Sequence, residues 1–229
     1  GIGTSAQESS EIFHRPPGRL VVRFPSATTH RDAALVPSRI GVFGGTFDPP
    51  HLGHLVTAVN VRHALRLDLV LLMVAHDPWQ KARRPSAAAD RLAMVEAAVR
   101  GLDGVAVGDL EVARGGPTFT ADTLAELARL HPGASLFTIV GDDVAASFGE
   151  WERAAEVAAA STLVVVDRPG SPLTPPGAWR WERVEVPRLE VSSTDLRARA
   201  ADGRPLDFLV PDAVRRIISQ RGLYGAAAR

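Results

Sequence analysis

The chain has 229 residues, enough for one large domain or two small ones. With 45% hydrophobic residues and a mean hydropathy of +0.03 it can bury a substantial core, which excludes wholesale disorder. The absence of cysteine excludes disulfide scaffolds, thiol nucleophiles and cysteine-ligated metal centres. Twenty-six basic residues balance 26 acidic ones, so bulk charge advertises neither nucleic acid nor an anionic membrane; yet 25 of the 26 are arginine, and Lys81 is the lone lysine.

Residues 1–38 are rich in Ser, Thr, Arg and Pro and read as a loosely ordered extension or a start-site artefact, which leaves 39–229 as the folded unit. From there short apolar runs alternate with amphipathic stretches. Residues 39–43 (RIGVF) form a strand ending in Gly44-Gly45, and Leu55, Ala58, Val61 and Leu65 then recur at helical spacing. Residues 68–74 (DLVLLMV) are a buried strand, and Leu92, Val95 and Val99 mark a second helix. Two further buried strands, 136–140 and 163–166, flank an Ala-rich helix over 152–160; a last helix over 212–220 closes the domain. Strands buried on both faces and alternating with helices predict an α/β fold: a doubly wound parallel sheet with a small C-terminal helical part. In such sheets ligands bind beyond the carboxyl ends of the strands, so chemistry is expected in the loops after Phe43, Val74 and Val140. The longest apolar run, 69–75, is far short of the roughly 20 residues a bilayer requires, and the first forty residues hold no apolar signal core. A cytoplasmic protein without membrane or nucleic-acid partners is the expectation.

The loop after the first strand carries the most information: Gly44-Gly45-Thr46-Phe47-Asp48-Pro49-Pro50-His51-Leu52-Gly53-His54. Paired glycines directly after a strand let backbone N–H groups approach a phosphate, and Gly53 offers the same where a helix begins. His51 and His54, three apart at that helix start, can face one side beside the positive end of the helix dipole. Together they make an anion trap able to hold the charge of a phosphoryl group in transfer. A zinc site fits less well, because zinc helices space their histidines by four and no third ligand is evident. Farther on, Ser192, Ser193 and Thr194 precede a helix, and Arg197 projects one turn along on the same side. On its own that is an ordinary helix cap with a solvated arginine. Paired with the histidine loop, it reads as the second end of a phosphate clamp.

Residues 39–54 resemble the signature of the nucleotidyltransferase superfamily that carries an HxGH motif. The chain from about 39 to 224 resembles, more narrowly, bacterial nicotinate-nucleotide adenylyltransferases of the actinobacterial kind. Five more blocks follow in the family's order: 88–97 (AADRLAMVEA) with its Arg-x-x-Met core, 111–124 (EVARGGPTFTADTL), 140–151 ending in Trp151, 166–170 (VDRPG), and 191–197 (VSSTDLR), which resembles the second superfamily motif.

The resemblance implies a Rossmann-like nucleotidyltransferase fold and adenylyl transfer from ATP to nicotinate mononucleotide, with Mg²⁺ accompanying ATP. It implies His51 and His54 as the catalytic pair. ATP would lie on Gly44, Gly45, Thr46, Phe47, Gly53, Asp143 (at the ribose), Ser192, Ser193, Thr194 and Arg197. Nicotinate mononucleotide would lie on Trp151 (ring stacking), on backbone amides near Thr118, Thr120 and Glu152 (the carboxylate), and on Lys81 and Arg168 (phosphate). No dedicated metal-binding side chains are implied, and a homo-oligomer is compatible with the family. Three departures stand out: Asp142 replaces a small residue beside Asp143, Pro78-Trp79-Gln80-Lys81 replaces Pro-Pro-His-Lys, and Val191 replaces isoleucine. The readings left open are nicotinamide mononucleotide as acceptor, transfer to phosphopantetheine, cytidylyl transfer, a class I aminoacyl-tRNA synthetase fragment, and a non-catalytic nucleotide-binding module. The synthetase reading lacks any lysine-rich Lys-Met-Ser-Lys-Ser loop.

Overall fold

The computed structural model describes residues 36–77, 84–167, 177, 179–187 and 189–226. Its centre is a six-stranded, all-parallel sheet of β1 (Arg39–Gly45), β2 (Leu69–Val74), β3 (Val105–Gly108), β4 (Ser135–Gly141), β5 (Thr162–Asp167) and β6 (Trp181–Glu185). The strand order is β3-β2-β1-β4-β5-β6. The order reverses between β1 and β4, so the loops above these two neighbouring strands part and open a crevice. Among the described residues eight α-helices pack around the sheet: α1 (Leu52–Ala64), α2 (Ala88–Val99), α3 (Leu110–Arg114), α4 (Thr120–Leu130), α5 (Asp142–Ala146) and α6 (Ala154–Ala160) lie between strands, and α7 (Ser193–Ala201) and α8 (Asp212–Gln220) follow the last one.

Strand periodicity explains why both faces are covered. In β2, Val70, Leu72 and Val74 point into one core, shared with Ala58 and Val61 of α1, Met94 and Val95 of α2, Leu196 of α7 and Val214 of α8. Leu69, Leu71 and Met73 point into the other, closed by Leu124 and Leu127 of α4 and Val157 of α6. All six residues of β2 are buried, which is why the segment reads as an unbroken apolar run rather than an alternating one. Gly41 sits in β1 where a Cβ would come within 2.8 Å of the Ile139 side chain, so the neighbouring strand leaves no room for anything larger.

The predicted doubly wound α/β sheet is the fold found, and α8 spans the expected residues. Five elements were not foreseen: β3, α3, α4, α5 and β6. β3 is only four residues long and follows two positive-φ glycines, Gly101 and Gly104, which look like a plain turn in sequence. β6 is an edge strand reading WERVE, and its charges mask the apolar pattern. α4 hides its apolar stripe directly behind the GGPTFT segment, so Phe119 and Thr120 mark a helix start. The Ala-rich helix begins at Ala154 rather than at 152, because Arg153 takes a left-handed conformation (φ 61°) that ends the preceding turn. Of the extension expected over 1–38, residues 1–35 lie outside the described residues. Ser38 already belongs to the fold: its backbone and hydroxyl both donate to Asp68, and its carbonyl accepts from Ser135.

Candidate active site

A cleft of about 420 Å³ opens above the carboxyl ends of β1 and β4. Its floor is the strand ends themselves, Val42 to Gly45 and Thr138 to Gly141; its walls include Thr46, His54, Ala75, Glu111, Thr118, Thr120, Asp143 and Trp151. All three loops expected to carry chemistry contribute. At Gly44 an added Cβ would meet no atom within 4 Å, so the backbone there is open to an approaching ligand.

The histidine loop folds back on itself. Phe47 adopts a left-handed conformation (φ 51°), and its ring packs where a Cβ on Gly45 would sit, 2.8 Å away. The same ring meets His54 edge-on at 4.9 Å. His51 is the extended residue that caps α1, and its ring stacks on His54 with centroids 3.7 Å apart. The His51 amide donates to Nδ1 of His54 at 3.1 Å. That bond occupies the Nδ1 lone pair, so in the neutral ring the proton resides on Nε2 and His54 is a donor at that atom. Burial pushes the His51 imidazole down to about 4, and burial together with its neighbour His51 holds His54 well below the usual range. Without an anion in the cleft, both rings are therefore neutral at pH 7.

The second motif approaches the same loop from α7. Ser192 caps that helix, its hydroxyl accepting from the Asp195 amide at 3.2 Å. Ser193 donates to the Pro49 carbonyl at 2.8 Å, and Arg197 donates to the Asp48 carbonyl at 2.9 Å and to the Thr194 hydroxyl at 3.1 Å. The two motifs, some 140 residues apart in sequence, thus meet at one pair of consecutive carbonyls. Asp48 itself is buried, with its carboxylate accepting from the Tyr224 hydroxyl at 2.8 Å and the Ser86 amide at 3.3 Å. Burial alone would raise its pKa; the donors Tyr224 and Ser86, with the Arg197 charge, outweigh burial and keep it low.

Of the residues singled out in sequence, Gly44, Gly45, Thr46, His54, Thr118, Thr120, Asp143 and Trp151 line the cleft together. Trp151 is half-buried: it packs on Phe148 at 5.3 Å while also lining the cleft, so one ring serves both as anchor and as wall. His51 stands behind His54 rather than on the wall, and Gly53 stands behind His51, where a Cβ would lie 3.0 Å from its Nδ1. The Phe47 side chain is only 2% exposed and belongs to the core. Ser192, Ser193, Thr194 and Arg197 stand at the histidine loop, outside the cleft wall, and Glu152 is exposed outside it. Lys81 and Arg168, with the Pro78-Trp79-Gln80 departure, lie outside the described residues.

Sequence reasoning gave no role to Glu111, Asp48, Tyr224 or Arg91. Glu111 lines the cleft and accepts from the Thr123 hydroxyl at 2.8 Å; burial pushes its carboxyl up, against that hydrogen bond and the Arg114 charge. Arg91 had a legible signal, since it shares a helix face with the apolar Met94, Val95, Ala98 and Val99 and so had to be buried.

Comparison with known proteins fits this arrangement. The cytidylyltransferase-like family profile matches residues 42–199. A protein of Exiguobacterium sibiricum named "probable nicotinate-nucleotide adenylyltransferase" is 41% identical over 186 residues, covering 81% of this chain and 98% of that protein. A Streptomyces coelicolor protein of the same name is 45% identical over 184 residues, covering 79% and 98% respectively. Among solved structures, Plasmodium falciparum nicotinic acid mononucleotide adenylyltransferase complexed with NaAD shares the fold at a TM-score of 0.69 and 16% identity, covering 84% of this chain and 100% of that one. The chain belongs to the cytidylyltransferase-like family and, within it, to the nicotinate-nucleotide adenylyltransferases.

Proposed function

We propose that the protein transfers the adenylyl group of ATP to nicotinate mononucleotide, giving nicotinate adenine dinucleotide and pyrophosphate. A 5′-phosphate oxygen of the mononucleotide attacks the α-phosphorus, and the bond from that phosphorus to the oxygen bridging to the β-phosphate breaks in line. Transfer of this kind needs positioning and charge stabilisation rather than a covalent enzyme intermediate. The observation that carries this reading is the stacked His51–His54 pair at the start of α1, with His54 on the wall of the switch-point cleft.

His54 Nε2 donates to a phosphoryl oxygen, while His51, stacked behind it, fixes its tautomer through its own amide. An entering polyanion raises both imidazole pKa values, so charge is gained when substrate binds rather than stored in the empty cleft. The backbone from Gly45 to Phe47 cradles the transferring phosphate, and Arg197 with Ser192, Ser193 and Thr194 receives the departing pyrophosphate. Asp143 takes the ATP ribose. Among the described residues no cluster of three His, Asp or Glu side chains is arranged to hold a metal ion. Mg²⁺ enters with the triphosphate, as part of the substrate MgATP.

The first-turn amides of α4, which starts at Thr120, receive the nicotinate carboxylate beside the Trp151 ring, with Thr118 and the chain near Glu152 completing that side. Free amides favour an anion over a neutral carboxamide, which supports the acid as substrate. Lys81 and Arg168 are assigned to the mononucleotide phosphate. The working unit begins near residue 39, in the cytoplasm, and no helix among the described residues is long and apolar enough to cross a membrane. A coupled pyrophosphate assay with ATP or CTP against nicotinate or nicotinamide mononucleotide tests the assignment. Fast release only with ATP and the acid is expected. Equal rates with the amide would remove the acid preference, and faster release with CTP would replace the adenylyl reading.

A further inference from the structure

Arg91 is an arginine in a place that apolar packing would normally fill. It is 1% exposed and stands among Met94, Val95 and Ala98 on the inner face of α2. A buried guanidinium persists only when its N–H groups find acceptors and its charge finds compensation. Here Nε donates to the Ser86 carbonyl at 2.9 Å, Nη1 to those of Thr46 at 2.9 Å and Ala75 at 2.7 Å, and Nη2 to that of His76 at 3.0 Å. Burial lowers its pKa, while Asp48, Tyr224 and Asp77 act in the opposite sense. These acceptors lie on three separate segments. Thr46 leads into the histidine loop, Ala75 and His76 end the β2 wall, and Ser86 precedes α2. Thr46 and Ala75 both line the cleft.

We propose that Arg91 is a positioning residue for the transfer reaction: one planar side chain sets the separation of the histidine loop from the β2 wall of the cleft. Its fork geometry also fixes peptide orientation. In a trans peptide the C=O and the following N–H point in opposite directions, so turning the Thr46 and Ala75 carbonyls toward Arg91 turns the Phe47 and His76 amides away from it. The direction of the amides that cradle the phosphate is then decided by a group that never touches substrate. Lysine cannot replace it, because a single ammonium cannot meet carbonyls spread over three segments.

The proposal rests on the adenylyl-transfer reading, and wild-type pyrophosphate release with ATP and nicotinate mononucleotide tests that reading separately. Arg91→Lys and Arg91→Ala are purified, checked for a cooperative thermal transition, and assayed below it, with the competent fraction counted by ATP-binding stoichiometry. In Arg91→Lys, kcat per competent site should fall about 100-fold, the cost of a roughly 1 Å misplacement at a reacting centre, with KM for either substrate moving less than about 3-fold. Guanidinium ion at low millimolar concentration should raise kcat of Arg91→Ala saturably and leave Arg91→Lys unchanged. Wild-type kcat per competent site in Arg91→Lys would overturn the proposal. Loss of the cooperative transition in both variants would overturn it too, leaving Arg91 a determinant of folding alone.

Discussion

The Tyr224 hydroxyl donates to the Asp48 carboxylate at 2.8 Å, joining residues 176 positions apart and fastening the C-terminal segment to the loop that carries the histidines. Burial, the Asp48 charge and the hydrogen bond to Asp48 all push the phenol pKa up, so Tyr224 stays a neutral donor across the accessible pH range. Tyr224→Phe removes a hydrogen bond donated to a buried carboxylate, a change that costs about 1–3 kcal/mol. Urea denaturation at pH 7 should show that loss as a lower midpoint with an unchanged slope. An unshifted midpoint would mean that the bond contributes nothing.

The neutral histidine pair predicts how stability responds to acid. His51 has a folded-state pKa of about 4, against about 6.5 for an unfolded imidazole. Between these values the unfolded chain binds a proton that the folded protein refuses, so stability is full above pH 6.5 and falls as pH drops toward 4. The slope is positive in pH, and the loss for this group approaches about 3 kcal/mol. His51→Gln should flatten the stability profile across that window. The same slope in the variant and in the wild type would refute the assignment.

Gly53→Ala sets two effects against each other. Alanine is worth up to about 1 kcal/mol more than glycine inside a helix. Its Cβ, however, would lie 3.0 Å from His51 Nδ1 and 3.3 Å from Val191, and the His51 ring cannot retreat because His54 is stacked behind it at 3.7 Å. The expected outcome is a melting temperature near or above wild type with turnover reduced about 10-fold or more, since small displacements of a catalytic group are costly. Steady-state kinetics beside calorimetry would check the split; wild-type turnover would show that the ring has slack.

Arg197 holds the Asp48 carbonyl and the Thr194 hydroxyl before substrate arrives. Charged hydrogen bonds of this kind are worth about 1.5–3 kcal/mol, so Arg197→Ala should lower kcat/KM for ATP by about 10- to 100-fold. The KM for nicotinate mononucleotide should move much less. Equal losses for both substrates in initial-rate measurements would place the arginine elsewhere in the reaction.

The apolar runs and their alternation with amphipathic stretches were enough to determine a doubly wound parallel sheet, because a strand buried on both faces leaves an unbroken hydrophobic signal. The histidine loop and the Ser192–Arg197 motif were equally legible, since each carries its chemistry in consecutive residues. That the two form one clamp was expected from their chemistry; the contacts by which they meet were not legible. Ser193 and Arg197 reach the carbonyls of Pro49 and Asp48 only after α7 docks. Charge was misleading as well: a count of histidines suggests a cationic trap, whereas burial and stacking keep both rings neutral until an anion enters.

The composition determined a neutral, cysteine-free chain with one lysine, and the sequence alone placed the glycines and histidines of the candidate anion trap after the first strand. Tertiary structure alone decided the buried polar framework around them, Arg91 on four carbonyls and Tyr224 on Asp48. The physical reason is that a buried polar group takes its meaning from partners brought together by folding, which no local spacing records.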